Sequence, residues 1–396
     1  MARNWFRKRR GTDGPGRTDR AGRKADQPPR TGEHALLDLG LERPEPGAQR
    51  LLPEGCRALR ERLDELEHRH GPAHEDTIEM RSRLATMLTV LALAAERLRP
   101  GNTQAHEHAL ALHVENILHA SRALGADSFD ALSAWEGAGS VALSAGWTEK
   151  SIGLLEEAVA GYRRAAGPDD ERTQFCWSRL AEAYEAANRA DEAITVWEQV
   201  VETGRRTLRP GDVMLGERKE RLFRAYHRAG RNPEAIALCE EIIADKAEFS
   251  GPDDLSVFVW TDNLAHLRHD AGDLAGAIAC YERAIHGLTE ITGPRHPDLA
   301  FRHHNLALAH LEDGHPQRAL PHLERALAIR EGALGPHHAD TLTSLLKLAS
   351  GYERAGRPKK AAACAQRLVI TLERVAPRHP RLPEFRAYRE RLAEPG

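Results

Sequence analysis

A period of 42 residues constrains the fold of this chain more than any other feature. A Gly-Pro pair recurs at Gly167, Gly251, Gly293 and Gly335, so successive pairs lie 84, 42 and 42 residues apart. The repeat missing from the longer gap begins near Pro210, where the proline is kept and the glycine is replaced. A fixed period of this length predicts one supersecondary element copied along the chain, rather than several unrelated domains.

Three further columns keep the same register over five repeats. One contains leucine, one contains alanine, and the third contains only residues that tolerate a left-handed backbone. The columns are Leu180, Leu222, Leu264, Leu306 and Leu348; Ala193, Ala235, Ala277, Ala319 and Ala361; and Asn188, Gly230, Gly272, Gly314 and Gly356. Each repeat is therefore predicted to contain a helix A, a turn at the third column, and a helix B.

The repeat that starts at Gly293 shows why this pattern predicts a helical hairpin. Pro297 and Asp298 suit a helix N-terminus, where the missing proline N–H costs nothing and the carboxylate meets the positive end of the helix dipole. Gly314 ends helix A in the left-handed conformation, and Pro316 opens helix B. One hairpin cannot bury its own apolar face, so successive hairpins must stack.

Counting the period in both directions predicts four regions. They are a basic disordered tail at 1–50, an N-terminal capping helix at 51–70, seven hairpins at 71–376 and a C-terminal capping helix at 377–396. The hairpins are predicted to start near residues 71, 125, 167, 209, 251, 293 and 335. The first start-to-start distance is 12 residues too long, and the insertion is expected around 99–104, where Pro-Gly-Asn predicts a loop. Within the tail, we expect at most a short helical turn at 33–41.

Composition and charge limit the class of protein. Hydrophobic residues make up 41% of the chain and aromatic residues 5%, which suits packed helices better than a sheet and excludes wholesale disorder. Residues 1–30 hold ten Lys or Arg against three Asp, so a basic tail precedes an acidic body. The five cysteines form no CxxC pair, and no run of 18 apolar residues occurs. These two features predict a cytoplasmic protein.

The columns resemble the tetratricopeptide repeat. In the repeat that starts at 167, the residues that carry the pattern are Trp177, Leu180, Ala181, Tyr184, Ala193 and Trp197. The 42-residue length and the segment NLALAHLEDGHPQRALPHLERALAIREGALG at 305–335 resemble the kinesin-light-chain subclass. The resemblance covers roughly 71–376. It implies an all-α, right-handed superhelical solenoid of antiparallel hairpins, whose helices A line a concave groove that binds peptides.

One column of helix A is the candidate peptide-binding surface, because in the resembling family the residue before the column leucine faces the groove. The column is Arg83, Gly137, Arg179, Arg221, Asn263, Asn305 and Lys347. The candidate binding residues are Arg179, Arg221, Arg224, Asn263, Asn305 and Lys347, and we expect them to be solvated when no ligand is bound. Cationic and amide side chains pair with carboxylates and peptide groups, which predicts a ligand with acidic and hydrophobic residues. The alternative is that these side chains are only the solvated walls of a groove.

The family's carboxylate clamp for chaperone tails is not predicted here. That clamp needs a lysine four positions before the groove column. This chain has Phe175, Glu217, Val259, Phe301 and Thr343 at those positions.

No motif predicts catalysis, a metal or a cofactor. The 21 histidines include no HExxH, and His74, His296 and His338 share one repeat column, as structural residues would. Gly137 and Gly139 resemble part of a dinucleotide fingerprint, but that motif works only between a strand and a helix. We therefore expect a protein that is not an enzyme and needs no cofactor.

Two functions fit this sequence. The leading hypothesis is a non-catalytic scaffold or adaptor that holds an extended peptide or partner protein in the groove. The alternative is a regulator attached to nucleic acid or an anionic membrane through its tail, with the repeats sensing a signal. The tail residues that would make such a contact are Arg7, Lys8, Arg9 and Arg10, which follow Trp5 and Phe6.

Overall fold

The computed structural model describes residues 54–98 and 103–393, together with Leu36, Leu39 and Leu41. These residues form 16 α-helices and no strand, so the prediction of an all-α repeat fold is confirmed. The chain divides into two compact units, which we call unit 1 (Met1–Arg209) and unit 2 (Pro210–Gly396).

Seven helices belong to unit 1 and nine to unit 2 within the described residues. Unit 1 contains α1 Glu54–His70, α2 Glu75–Leu98, α3 Gln104–Leu124, α4 Phe129–Ser144, α5 Thr148–Ala165, α6 Glu171–Ala186 and α7 Ala190–Thr207. Unit 2 contains α8 Val213–Ala229, α9 Asn232–Ser250, α10 Leu255–Asp270, α11 Leu274–Thr292, α12 Pro297–Glu312, α13 Pro316–Leu334, α14 Ala339–Arg354, α15 Pro358–Val375 and α16 Leu382–Ala393. Even-numbered helices from α2 to α14 are helices A, and odd-numbered helices from α3 to α15 are helices B.

The turn between helix A and helix B follows the left-handed column of the sequence. Asn188, Gly230, Gly272, Gly314 and Gly356 all have positive φ, between 56° and 83°. Only residues without a bulky or branched side chain hold this conformation cheaply, which is why the column contains glycine and one asparagine.

The leucine and alanine columns form the core between paired helices. The five column leucines are 0–6% exposed and the five column alanines 0–1% exposed. An alanine at each position lets the backbone of helix B come close to helix A, so the hairpin packs tightly without large side chains.

Each helix A from α6 to α14 begins at a side chain that caps the first free N–H groups. Asp170, Asp212 and Asp254 each accept a hydrogen bond from the backbone N–H two residues later. In α12 and α14 the same position is His296 or His338, whose Nδ1 accepts the hydrogen bond at 3.4 and 3.2 Å. The histidine column is therefore a capping column.

The first hairpin is irregular because α2 is long. It has 24 residues, whereas α4, α6, α10, α12 and α14 have 16 each. No glycine or proline interrupts the sequence between Glu75 and Leu98, so the helix continues until the approach of Pro100. Part of the 12-residue insertion therefore lengthens α2, which ends just before the segment where the loop is predicted.

The predicted tail at 1–50 lies outside the described residues, apart from the three leucines. Leu36 is helical and 2% exposed, and its carbonyl accepts hydrogen bonds from the N–H groups of Leu39 and Leu41 at 3.1 and 3.0 Å. The continuity of seven hairpins over 71–376, with a capping helix at each end, stays a prediction.

Candidate functional site

In unit 2, side chains reach directly from one helix A to the next. Phe223 of α8 meets Trp260 of α10 edge to face, with ring centroids 4.9 Å apart. His269 Nε2 of α10 lies 3.1 Å from a carboxylate oxygen of Glu312 in α12. Arg354 of α14 donates to a backbone carbonyl of α12. We call the surface formed by α8, α10, α12 and α14 at and around the predicted groove column the A-helix face.

A buried polar cluster joins α10 and α12 on this face. Asp262 and Arg302 form an ion pair with 3.2 Å between Oδ2 and Nε, and their side chains are 9% and 13% exposed. Burial raises the pKa of the Asp262 carboxyl, although Arg302 and His266 act in the opposite direction. The second carboxylate oxygen, Oδ1, is buried without a hydrogen-bond partner. Such a pair joins the two helices, while the loss of hydration of both charges offsets much of their attraction.

His266 connects this cluster to the groove column. Its Nδ1 lies 3.0 Å from the Tyr281 hydroxyl, and its Nε2 lies 3.4 Å from the Asn305 amide nitrogen. A neutral imidazole with the proton on Nδ1 satisfies both contacts, since it donates to Tyr281 and accepts from Asn305. Burial lowers the pKa of His266, which favours this neutral form even though Asp262 is near.

The candidate groove residues of unit 2 differ in exposure. Arg221 and Arg224 of α8 are exposed, and Arg224 lies 3.7 Å from Glu220. Asn263 and Lys347 are half-buried. Asn305 is only 8% exposed and its amide contacts His266. This differs from the solvated column that the sequence pattern predicts, because a neighbouring helix A supplies a hydrogen-bond partner.

Arg179 is the candidate groove residue in unit 1. Its side chain is 37% exposed, pairs with Glu182 at 3.0 Å and lies over the ring of Phe175, with 5.7 Å between the guanidinium carbon and the ring centroid. A cation held over an aromatic ring is partly oriented before any ligand binds.

Apolar side chains are exposed on the same helices A. Val259 of α10 and Phe301 of α12 occupy one column and are 38% and 50% exposed. Leu255, one turn before Val259, is 45% exposed, and Val213 and Met214 at the start of α8 are 72% and 48% exposed. We call these five exposed apolar side chains on three successive helices A the apolar patch.

Sequence reasoning missed the Asp262–Arg302 pair. The two residues occupy different columns of the repeat, so a column-by-column comparison does not bring them together. The available signal is an acid on a helix A that is followed, one repeat later, by an arginine two residues closer to the helix start.

Several candidates suggested by the sequence have plain structural roles. Gly137 and Gly139 lie inside α4, where a Cβ would overlap His113 and Leu155 respectively, so these glycines admit neighbouring side chains.

Within the described residues, no three His, Cys, Asp or Glu side chains are grouped to hold a metal ion. None of the described helices combines the length and apolar content needed to cross a membrane. Arg7, Lys8, Arg9 and Arg10 lie outside the described residues.

Comparison with known proteins assigns the repeat. A tetratricopeptide repeat model matches residues 256–332 and 316–369, and a second one matches residues 176–203. No curated protein sequence matches the chain.

Several solved structures are similar to the chain. One is a Podosopora anserina putative kinesin light chain with nearly identical TPR-like repeats, at 26% identity and a TM-score of 0.45, covering 53% of this chain and 98% of that one. Another is BtubC (BKLC) from P. vanneervenii, at 25% identity and a TM-score of 0.44, covering 59% and 94%. The C-terminal part of a TPR repeat-containing protein from Cytophaga hutchinsonii shares the fold, with 11% identity and a TM-score of 0.51 over 77% and 98% of the two chains. The 42-residue period, the helical hairpins and the family-model matches together identify residues 176–203 and 256–369 as tetratricopeptide repeats.

Proposed function

We propose that this chain is a non-catalytic scaffold or adaptor that binds an extended segment of a partner protein on the A-helix face of unit 2. The observation that supports it is the exposure of Val259 and Phe301, which occupy one column of successive helices A. The polar side chains beside them are already paired between α10 and α12, as in the Asp262–Arg302 ion pair. Apolar side chains are exposed at repeated positions, and the polar groups next to them already have partners. This arrangement favours a ligand with apolar side chains at matching intervals.

The charges beside this patch favour acidic residues in the ligand. Arg221 and Arg224 are exposed on α8, and Arg221 occupies the groove column one repeat before Asn263. Exposed guanidinium groups bind carboxylates through paired hydrogen bonds. Asn305 has a different role in this proposal, because its amide already contacts His266 and so positions the face rather than the ligand.

Two synthetic peptides of 12 residues test this proposal on the full chain. Both carry leucine at alternate positions, and the other positions are Asp and Glu in the acidic probe and Lys in the basic probe. We expect the acidic probe to bind more tightly and its affinity to fall with salt. Phe301→Ser and Arg221→Glu should each weaken its binding about tenfold, which corresponds to about 1.4 kcal/mol.

Matched substitutions on a helix B provide the control. Ile370→Ser and Lys359→Glu change an exposed apolar residue and an exposed cation of α15, and they should leave the affinity unchanged. Equal losses in both pairs of variants, or tighter binding of the basic probe, would place the binding surface elsewhere.

The alternative function predicts a different result. Replacing Arg7, Lys8, Arg9 and Arg10 with alanine would abolish binding of the full chain to duplex DNA or to anionic vesicles, while the acidic probe would bind as before. Such a result would favour attachment through the tail.

A further inference from the structure

In the helices B from α5 to α15, one column of residues is exposed to solvent in every helix except α5. In α7, α9, α11, α13 and α15 this column holds exposed residues, which are Thr195, Ala237, Ala279, Pro321 and Ala363. The residue of α5 in the same column, 42 residues before Thr195, is Gly153, and it is half-buried. A helix surface that faces solvent in the later repeats is therefore covered in α5.

A second column shows the same difference two turns later. Ala160 of α5 is 1% exposed, whereas Glu202, Ala244, His286, Ala328 and Ile370 at the matching positions are all exposed. Gly153 and Ala160 lie seven residues apart and so share one side of the helix. Both are small, so another segment can approach the backbone of α5 closely at these two positions.

Leu39 occupies the space that Gly153 leaves open. A Cβ built on Gly153 would overlap Leu39 Cδ2, so any larger residue at this position would displace the leucine. Leu36 is 2% exposed, and its carbonyl accepts hydrogen bonds from the N–H groups of Leu39 and Leu41. The three leucines thus form a hydrogen-bonded turn with one side chain seated on α5.

We infer that the outer side of α5 at Gly153 and Ala160 is a binding surface for a leucine-bearing turn, and that this chain fills it with its own Leu36, Leu39 and Leu41. The surface lies on a helix B of unit 1, so it is independent of the A-helix face of unit 2. The glycine is required because only hydrogen leaves room for Leu39, even though glycine weakens a helix interior.

Hydrogen exchange of the Leu39 and Leu41 amides in the full chain tests this inference. Burial of a leucine side chain shifts an opening equilibrium by about tenfold or more, so both amides should exchange at least about tenfold more slowly than in a free peptide of the same sequence. Gly153→Leu should remove this protection. The matched control is Ala237→Leu, which introduces the same side chain at an exposed position of the same column in α9 and should leave the protection intact.

A second variant separates loss of the contact from damage to α5. Leu36→Asp combined with Leu39→Asp leaves every residue of α5 unchanged, and it should release the two amides while the amides of α5 stay protected. Replacing Ala160 with Glu, the residue that α7 carries in this column, should also release the leucines. Unprotected leucine amides in the unaltered chain, or protection that persists in Gly153→Leu, would overturn the inference.

Discussion

Units 1 and 2 are built from the same hairpin but bury different parts of it. Ten of the 18 residues of α5 in unit 1 are buried, against seven of 19 in α11 of unit 2. The outward side of α11 faces solvent, whereas that of α5 is covered. α11 therefore shows what a helix B buries by itself, and α5 shows what a segment from outside the repeat adds.

The buried charges of the two units also join different elements. In unit 1, Arg81 of α2 is 1% exposed and bonds Glu67 of α1 at 2.6 Å and Asn116 of α3 at 3.2 Å. In unit 2, the Asp262–Arg302 pair joins two helices A of successive repeats. The unit 1 cluster joins α1, α2 and α3, while the unit 2 pair joins the helices A of two neighbouring repeats.

Removing the charge of Arg81 should produce the largest difference between the units. Arg81→Leu leaves the carboxylates of Glu67 and Glu115, which are 31% and 26% exposed, without their shared cation. Breaking a buried ion pair costs about 3–5 kcal/mol, and we expect unit 1 to lose stability of this order. Chemical denaturation followed by hydrogen exchange of each unit measures the effect.

The control for this change is Arg83→Leu on the same helix. Arg83 is 63% exposed and pairs with Glu79 of its own helix, so its loss should cost less than about 1 kcal/mol. Equal effects of the two substitutions would show that the Arg81 cluster does not hold unit 1 together.

In both units, a large side chain on a helix A packs against a glycine on the following helix B. Leu132 faces Gly161 in unit 1, and Phe258 faces Gly287 in unit 2, and in each pair a Cβ on the glycine would overlap the larger side chain. The same two columns hold the reverse arrangement in α12 and α13, where Ala300 and Ile329 are both buried. A large residue on one helix thus accompanies a small one on the other.

This exchange predicts a rescue. Gly287→Ile should destabilise unit 2 by about 1–3 kcal/mol, because the added side chain overlaps the Phe258 ring. Adding Phe258→Ala, which reproduces the Ala300 and Ile329 arrangement, should recover most of that loss. A double-mutant cycle by thermal unfolding measures the coupling, and additive effects would show that the two columns do not exchange volume.

The sequence predicted the fold class because the pattern of one hairpin recurs several times along the chain. The leucine, alanine and left-handed columns each recur five times, and each has one physical requirement, namely burial, close approach or positive φ. The side chains that distinguish one repeat from another are not sampled in this way. Asp262 and Arg302 occur once, in different columns, so their contact could be found only from the structure.

A short helical turn at 33–41 was expected from the sequence, but its contact with α5 was hidden for a different reason. The composition of residues 1–50 predicts disorder, and the four leucines within it do not form a helical pattern long enough to stand out. Gly153 looks like a weak position inside a helix until Leu39 is placed beside it. The candidate groove residues stay predictions, and the structure adds that Asn305 is buried whereas Arg221 is exposed.

Acid should affect unit 2 more than unit 1, because three histidines of one hairpin are stacked. His322 of α13 lies between His303 and His310 of α12, with ring centroids 5.3 and 6.0 Å away. Burial lowers the pKa of His303 and of His322 to about 4, and the neighbouring rings add to the effect. Arg325 near His303 and Arg318 near His310 also disfavour a proton, while Glu282 and Asp313 near His310 favour one.

The direction of the pH effect follows from these values. An unfolded histidine takes up its proton near pH 6.5, whereas these folded ones do so near pH 4, so the folded state is fully favoured above about pH 6.5 and loses stability as the pH falls towards 4. Hydrogen exchange at pH 7.5 and pH 5 should therefore show a larger loss of protection in α12 and α13 than in α6 and α7.

His322→Phe keeps a ring between His303 and His310 but cannot take up a proton, so it should reduce the difference in protection between the two pH values. His286→Gln, at an exposed side chain of α11, is the control and should leave that difference unchanged. An undiminished difference in His322→Phe, or a larger loss in α6 and α7, would show that the stacked histidines do not set the acid sensitivity of unit 2.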